Sequence, residues 1–68
     1  MANRIRDLPA WERMWRGGAS AFNLAAGEFQ YWFVRSGPQG IETRWVTEKK
    51  EAIGLLRARA LAKEAYVG

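Results

Sequence analysis

The sequence predicts an α+β fold. It comprises an N-terminal helix, an antiparallel β-hairpin that becomes a three-stranded meander if residues 19–26 are extended, and a C-terminal helix packed on the sheet. Three observations predict it. Leu8, Trp11 and Trp15 recur at i, i+3 and i+7, which is one face of a helix. "EFQYWFV" and "IETRWVT" are aromatic and β-branched runs separated by the turn composition "SGPQG". "TEKKEAIGLLRARALAKEAY" is dense in strong helix formers.

Residues 1–6 carry Arg4 and Arg6 without periodicity and read as a flexible basic arm of a single domain, 1–68. Asp7 is a good N-cap type, and Pro9 is tolerated in a first helical turn, where its missing N–H is not needed. Trp11 and Trp15 then belong to the core face, with Glu12, Arg13 and Arg16 pointing elsewhere. Gly17-Gly18 breaks this pattern. The following "ASAFNLAAG" admits two readings. Its Ala content favours helix up to Gly27, whereas the alternation of Ser20, Phe22 and Leu24 suits a short first strand. Helix is the favoured reading.

The hairpin register follows from placing Arg35 opposite Ile41. Phe33 then faces Thr43, Tyr31 faces Trp45, and Trp32 faces Arg44. One side of the hairpin carries Phe29, Tyr31, Phe33, Ile41 and Trp45, and the other carries Gln30, Trp32, Val34, Glu42, Arg44 and Val46. A slip of one residue would put Phe33 against Arg44 and exchange one strand's faces. Thr47 is placed to cap the final helix, whose first turn holds Glu48 and Glu51 and whose end holds Lys63, in accord with the helix dipole. Ala52, Ile53, Leu56 and Ala60 form its expected inner stripe, flanked by Leu55, Ala62 and Tyr66. Gly54 costs about 1 kcal/mol against Ala, and close packing of helix on sheet is one reason to keep it.

At 68 residues folding removes only about 60% of the unfolded chain's surface from water, and such domains are often stapled by disulfides or metals. This chain has no Cys and no His, so disulfides, thiolate zinc sites and imidazole ligands are excluded. Its bulk comes from four Trp, three Phe and two Tyr. A homodimer that completes the core is compatible with so small a domain. The lack of Cys suits a reducing compartment. "MANRIRDLPAWERMW" lacks the apolar run of a secretory signal, and no stretch reaches the ~20 apolar residues that span a bilayer. The expectation is a cytoplasmic protein that makes no membrane contact.

The inventory argues against an enzyme. The commonest general base and the strongest nucleophile are missing, and Ser20 and Ser36 have no patterned partner base. The seven carboxylates are interspersed with Lys and Arg as on a solvated helix face, with neither a phosphate loop nor a calcium loop among them. No cofactor and no metal site is expected. Binding is the better class, since eleven Lys and Arg against seven Asp and Glu leave a net charge of +4, which suits an anionic partner. Two patches are candidates. On the outer hairpin face, Gln30, Trp32, Arg35 and Arg44 could stack on bases or anchor a protein interface. At the final helix, Lys49, Lys50 and Arg57 could meet phosphates.

"GEFQYWFVRSGPQGIETRWVTEKKEAIGLL", residues 27–56, resembles the sheet-plus-helix of the arm-type DNA-binding domains of phage integrases. The shared pattern is a strand ending near a basic residue, a Gly-containing turn, a second strand, and Thr–Lys–Lys–Glu–Ala opening a helix. Thr47, Lys49, Lys50, Glu51 and Ala52 match that last element, with Glu48 as an additional residue within it. The resemblance implies a sheet used on DNA through Trp32, Arg35 and Arg44. With no recombinase catalytic domain in the chain, it implies a free-standing module. The leading expectation is therefore a non-catalytic, DNA-binding regulatory or accessory factor of mobile-element or phage type. The alternative is a phage-type inhibitor or adaptor that blocks a host protein through an exposed Trp/Arg hairpin face.

Overall fold

The computed structural model describes residues 8–66. It is α+β: a 3₁₀ turn at Ala10–Arg13, then β1 (Arg16–Asn23), β2 (Glu28–Gly37), β3 (Gly40–Val46) and α1 (Lys49–Ala65). The three strands form one antiparallel sheet in the order β1-β2-β3. The expected N-terminal helix is absent from the described residues, and its Asp7 cap and the basic arm lie outside them. The helical spacing of Leu8, Trp11 and Trp15 yields one short turn, after which Met14 is already extended.

Two glycines redirect the chain. Gly17 and Gly18 adopt φ of 106° and 85°, a region costly for any residue with a Cβ. The register of β1 on β2 shifts at this point, so Gly18 is the extra residue of a β-bulge. Tertiary pairing overrides the helix propensity of "ASAFNLAAG". Ala19 and Ala21 lie in β1 opposite Trp32 and Gln30, where small side chains sit beside large ones. Phe22 meets Phe29 edge to face at 5.2 Å between ring centroids. Residues 24–27 then turn, with Gly27 N–H donating to Asn23 O at 2.8 Å and Asn23 Oδ1 accepting from Ala25 N–H and Ala26 N–H.

The hairpin register is displaced by one residue from the expected one. Gly37 pairs with Gly40 across a two-residue loop, Pro38-Gln39, so Arg35 faces Glu42 and Trp32 faces Trp45. Phe33 therefore faces Arg44, and Tyr31 faces Val46. Opposite-charge and aromatic cross-strand pairs each stabilise a sheet by a few tenths to about 1 kcal/mol. This register gains both: an Arg35–Glu42 ion pair at 2.7 Å and a stacked Trp32–Trp45 pair at 6.0 Å. The expected register would have set Arg35 against Ile41 and Val34 against Glu42. Gly37 also leaves room for the Glu42 side chain, which a Cβ at that position would strike.

One sheet face is covered by α1. Phe33, Val46 and Ala52 form the buried core there, with Trp15, Tyr31 and Leu55 packed against it. Of the expected inner residues, Phe33 and Tyr31 are confirmed. Trp45 and Ile41 lie on the opposite face and Val46 is inside, as the displaced register requires for β3. On α1, Ala52 is buried and Leu55, Arg59 and Ala62 are half-buried, whereas Ile53 and Ala60 are exposed. The inner stripe is thus rotated from the expected one, although Leu56 does reach the bulge, 3.3 Å from where a Cβ on Gly18 would be. Gly54 has open space around it and makes no close approach to the sheet. Thr47 does not cap α1: Glu48 holds the cap position without a side-chain bond, and Thr47 Oγ1 accepts from Gln30 Nε2 at 3.1 Å.

Candidate functional site: an open aromatic sheet face and a cationic helix side

The sheet face turned away from α1 is made by strand alternation and the observed register. Trp32 and Val34 come from β2, Ile41, Thr43 and Trp45 from β3, and Ala19 and Ala21 from β1. None of these seven carries a charge. Trp32 is 41% exposed, Trp45 37% and Ile41 64%. The two indoles stack with an interplanar angle of 24°, so together they present a broad, nearly continuous aromatic surface. An enclosed Trp buries up to about 250 Å², so this pair leaves roughly 200 Å² of aromatic surface open. The nearest cation is Arg16, at the margin opposite Val34.

At one end the face closes on a polar knot. Gln30 is only 9% exposed. Its side-chain oxygen accepts from Asn23 Nδ2 at 2.8 Å, and its Nε2 donates to Glu28 Oε2 at 3.0 Å and to Thr47 Oγ1. Its amide is engaged at both ends within the sheet, so Gln30 belongs to the framework rather than to the contact surface.

The expected cluster of Gln30, Trp32, Arg35 and Arg44 is therefore split. Trp32 stands on the open face, but its neighbour is Trp45, and Arg44 lies on the other side of the sheet. There Arg44 pairs with Glu51 of α1, and Arg35 pairs with Glu42. The two guanidinium carbons lie 4.4 Å and 5.8 Å from the ring of Trp15. Cation–π contact of this kind contributes about 0.5–1 kcal/mol at exposed sites. It makes Trp15 the roof of the core edge and fixes both arginines. Lys49, Lys50 and Arg57 are exposed on α1, and no ion pair among the described residues includes them. Lys50 and Arg57, seven residues apart, share the outward side of the helix.

Sequence reasoning missed Trp45, which it placed inside, and Ile41. A two-residue loop closed by Gly37 and Gly40 is the signal that would have found them, because loop length sets hairpin register. It also did not gather Trp11, Arg59 and Lys63. Trp11 packs on α1 with the Arg59 guanidinium carbon 5.1 Å and Lys63 Nζ 5.0 Å from its ring.

Comparison with protein-family models, with curated proteins and with solved structures gives no match to this chain. Among the described residues no helix is long and apolar enough to cross a membrane.

Proposed function

We propose that this chain is a non-catalytic binding module of inhibitor or adaptor type. Its open sheet face docks a partner protein through Trp32, Trp45 and Ile41. The observation that carries this reading is the register: it sets two tryptophans side by side at the centre of a face whose charges lie at its margins. DNA contact draws most of its affinity from cations on phosphates, and on this face Arg16 alone stands, at the edge. Protein interfaces instead concentrate energy in a few aromatic anchors at an uncharged centre. The partner's matching surface is accordingly apolar and uncharged at its centre.

The test uses the full chain and its Trp32→Ser/Trp45→Ser variant, with circular dichroism verifying that the variant is folded. Both are used to capture partners from nuclease-treated lysate at low and high salt, and the recovered protein is then titrated directly. The expected partner survives high salt and loses affinity by at least about 100-fold in the double variant, the range of a hot-spot pair. A partner held equally well by the double variant, or only when nucleic acid is intact, refutes the proposal. A solution mass twice the 7.8 kDa of the chain, returning to monomer in the variant, would assign the face to a second copy and equally refute it.

Lys49, Lys50 and Arg57 support a second reading, DNA binding by the outward side of α1. Their lack of carboxylate partners among the described residues leaves them available to phosphates. A random duplex would then bind at low salt, with log K falling by about 0.9 per phosphate neutralised for each tenfold rise in salt. Lys50→Glu with Arg57→Glu would abolish that binding without affecting capture through the sheet face.

A further inference from the structure

A separate site lies where the 3₁₀ turn, the start of β1, the end of β2 and the second half of α1 meet. These segments border an open cleft of about 440 Å³ whose walls include Trp11, Glu12, Arg16, Ser36, Arg59 and Lys63. Pockets of roughly 300–1,000 Å³ are the size that takes small ligands. Three cations converge on it against the single carboxylate of Glu12, and none of the four makes an ion pair among the described residues. The contrast with the rest of the helix side is sharp, since Arg35 and Arg44 each have a glutamate. Among the described residues, Glu12 alone offsets the positive charge of the cleft.

The Trp11 ring holds Arg59 and Lys63 beside it, so these cations are positioned before any ligand arrives. An excess of fixed donors and positive charge, short of acceptors, is the complement of a compact oxyanion. Planar guanidinium groups match the paired oxygens of phosphate, and a surplus of two positive charges matches a dianion better than the single charge of a diester.

We propose that this cleft binds a phosphate dianion, free or as the terminal group of a phosphomonoester, through Arg16, Arg59 and Lys63. The site does not rest on the partner proposed for the aromatic sheet face, with which it shares only the marginal Arg16.

The four indole N–H signals of the ¹⁵N-labelled full chain give the readout, with Trp11 assigned from a Trp11→Phe variant. Inorganic phosphate, pyrophosphate and a sugar phosphate are titrated at constant ionic strength maintained with chloride. The expected result is a saturable displacement of the Trp11 indole signal, with those of Trp32 and Trp45 unmoved. Tighter binding of the sugar phosphate than of inorganic phosphate identifies an esterified ligand, and the reverse order identifies the free anion. Arg59→Met should weaken binding at least 10-fold. Lys63→Gln, at an exposed position that leaves the fold intact, should weaken it several-fold. No saturable shift of Trp11, an equal shift with chloride, an unchanged affinity in Lys63→Gln, or a response to duplex DNA but to none of the three phosphates would each overturn the proposal.

Discussion

Gly18→Ala tests the packing on which the whole domain rests. Gly18 is the bulged residue of β1, with φ of 85°. A Cβ built there would sit 3.1 Å from Phe33 Cζ and 3.3 Å from Leu56 Cδ1, inside the roughly 3.5–4.0 Å at which carbon atoms rest. Phe33 has no room to retreat, because it is fully buried. The left-handed backbone costs an L-residue about 1–2 kcal/mol, and overpacking of this degree adds about 1–3 kcal/mol. A loss of about 2–5 kcal/mol is expected. For 68 residues the total stability is of order 3–10 kcal/mol, so the variant retains at best a fraction of it. Its melting temperature should fall by roughly 10–40 °C. Gly27→Ala is the control: φ there is 73°, but a Cβ would meet nothing within 4 Å, so only the backbone cost of about 1–2 kcal/mol applies. Urea unfolding followed by circular dichroism and Trp fluorescence compares the two. A Gly18→Ala variant no less stable than Gly27→Ala would refute the close contact of bulge, Phe33 and α1.

Gly54→Ala should stabilise the protein by up to about 1 kcal/mol, because the site is open and helical; a thermal melt that shifts downward would contradict this placement. Gln30→Leu breaks the bonds to Asn23, Glu28 and Thr47 and should cost about 1–3 kcal/mol. Because Asn23 also holds the turn, faster hydrogen exchange at Ala25 and Ala26 should accompany the loss. A double-mutant cycle on Arg35 and Glu42 should give a coupling of about 0.2–1 kcal/mol that shrinks with added salt, as for partly exposed pairs; a null coupling at low salt would remove the ion pair from the account of the register.

The C-terminal helix and the two strands around "SGPQG" were legible because each rests on local chemistry: helix formers in one case, and aromatic and β-branched runs bounded by glycine in the other. The N-terminal helix was not. The spacing of Leu8, Trp11 and Trp15 is genuine, and Trp15 does pack against the core, but a single 3₁₀ turn running into an extended segment can present two indoles to one side as well as a helix does. What decides is Gly17-Gly18, whose positive φ values belong to a bulge recognisable only once β2 is there to pair with. Register was lost by a single residue, and the candidate site with it. Reading "SGPQG" as a five-residue loop placed Trp32 beside Arg44, whereas pairing of Gly37 with Gly40 sends Arg44 to the helix side and brings Trp45 across. The position of α1's inner stripe was likewise invisible to periodicity, because Ile53 and Leu61 place apolar residues on its exposed side too.

The Trp32–Trp45 pair has two roles that can be separated. Stacked across the hairpin, it contributes about 0.5–1.5 kcal/mol beyond its buried area, and with the Arg35–Glu42 pair on the other face it resists the one-residue slip that would bring Arg44 back beside Trp32. That role needs only aromatic contact between neighbours. Phenylalanine at position 45 would preserve it in part, as would leucine with some loss, whereas an indole half open to solvent adds surface that the fold does not use. Trp45→Leu should therefore unfold only slightly more easily than the native chain, by about 1 kcal/mol, while losing a much larger share of affinity for the partner docked on this face. A variant whose loss of affinity is no greater than its loss of stability would mean that the pair serves the register alone, and the open face would then have no binding role left to assign to it.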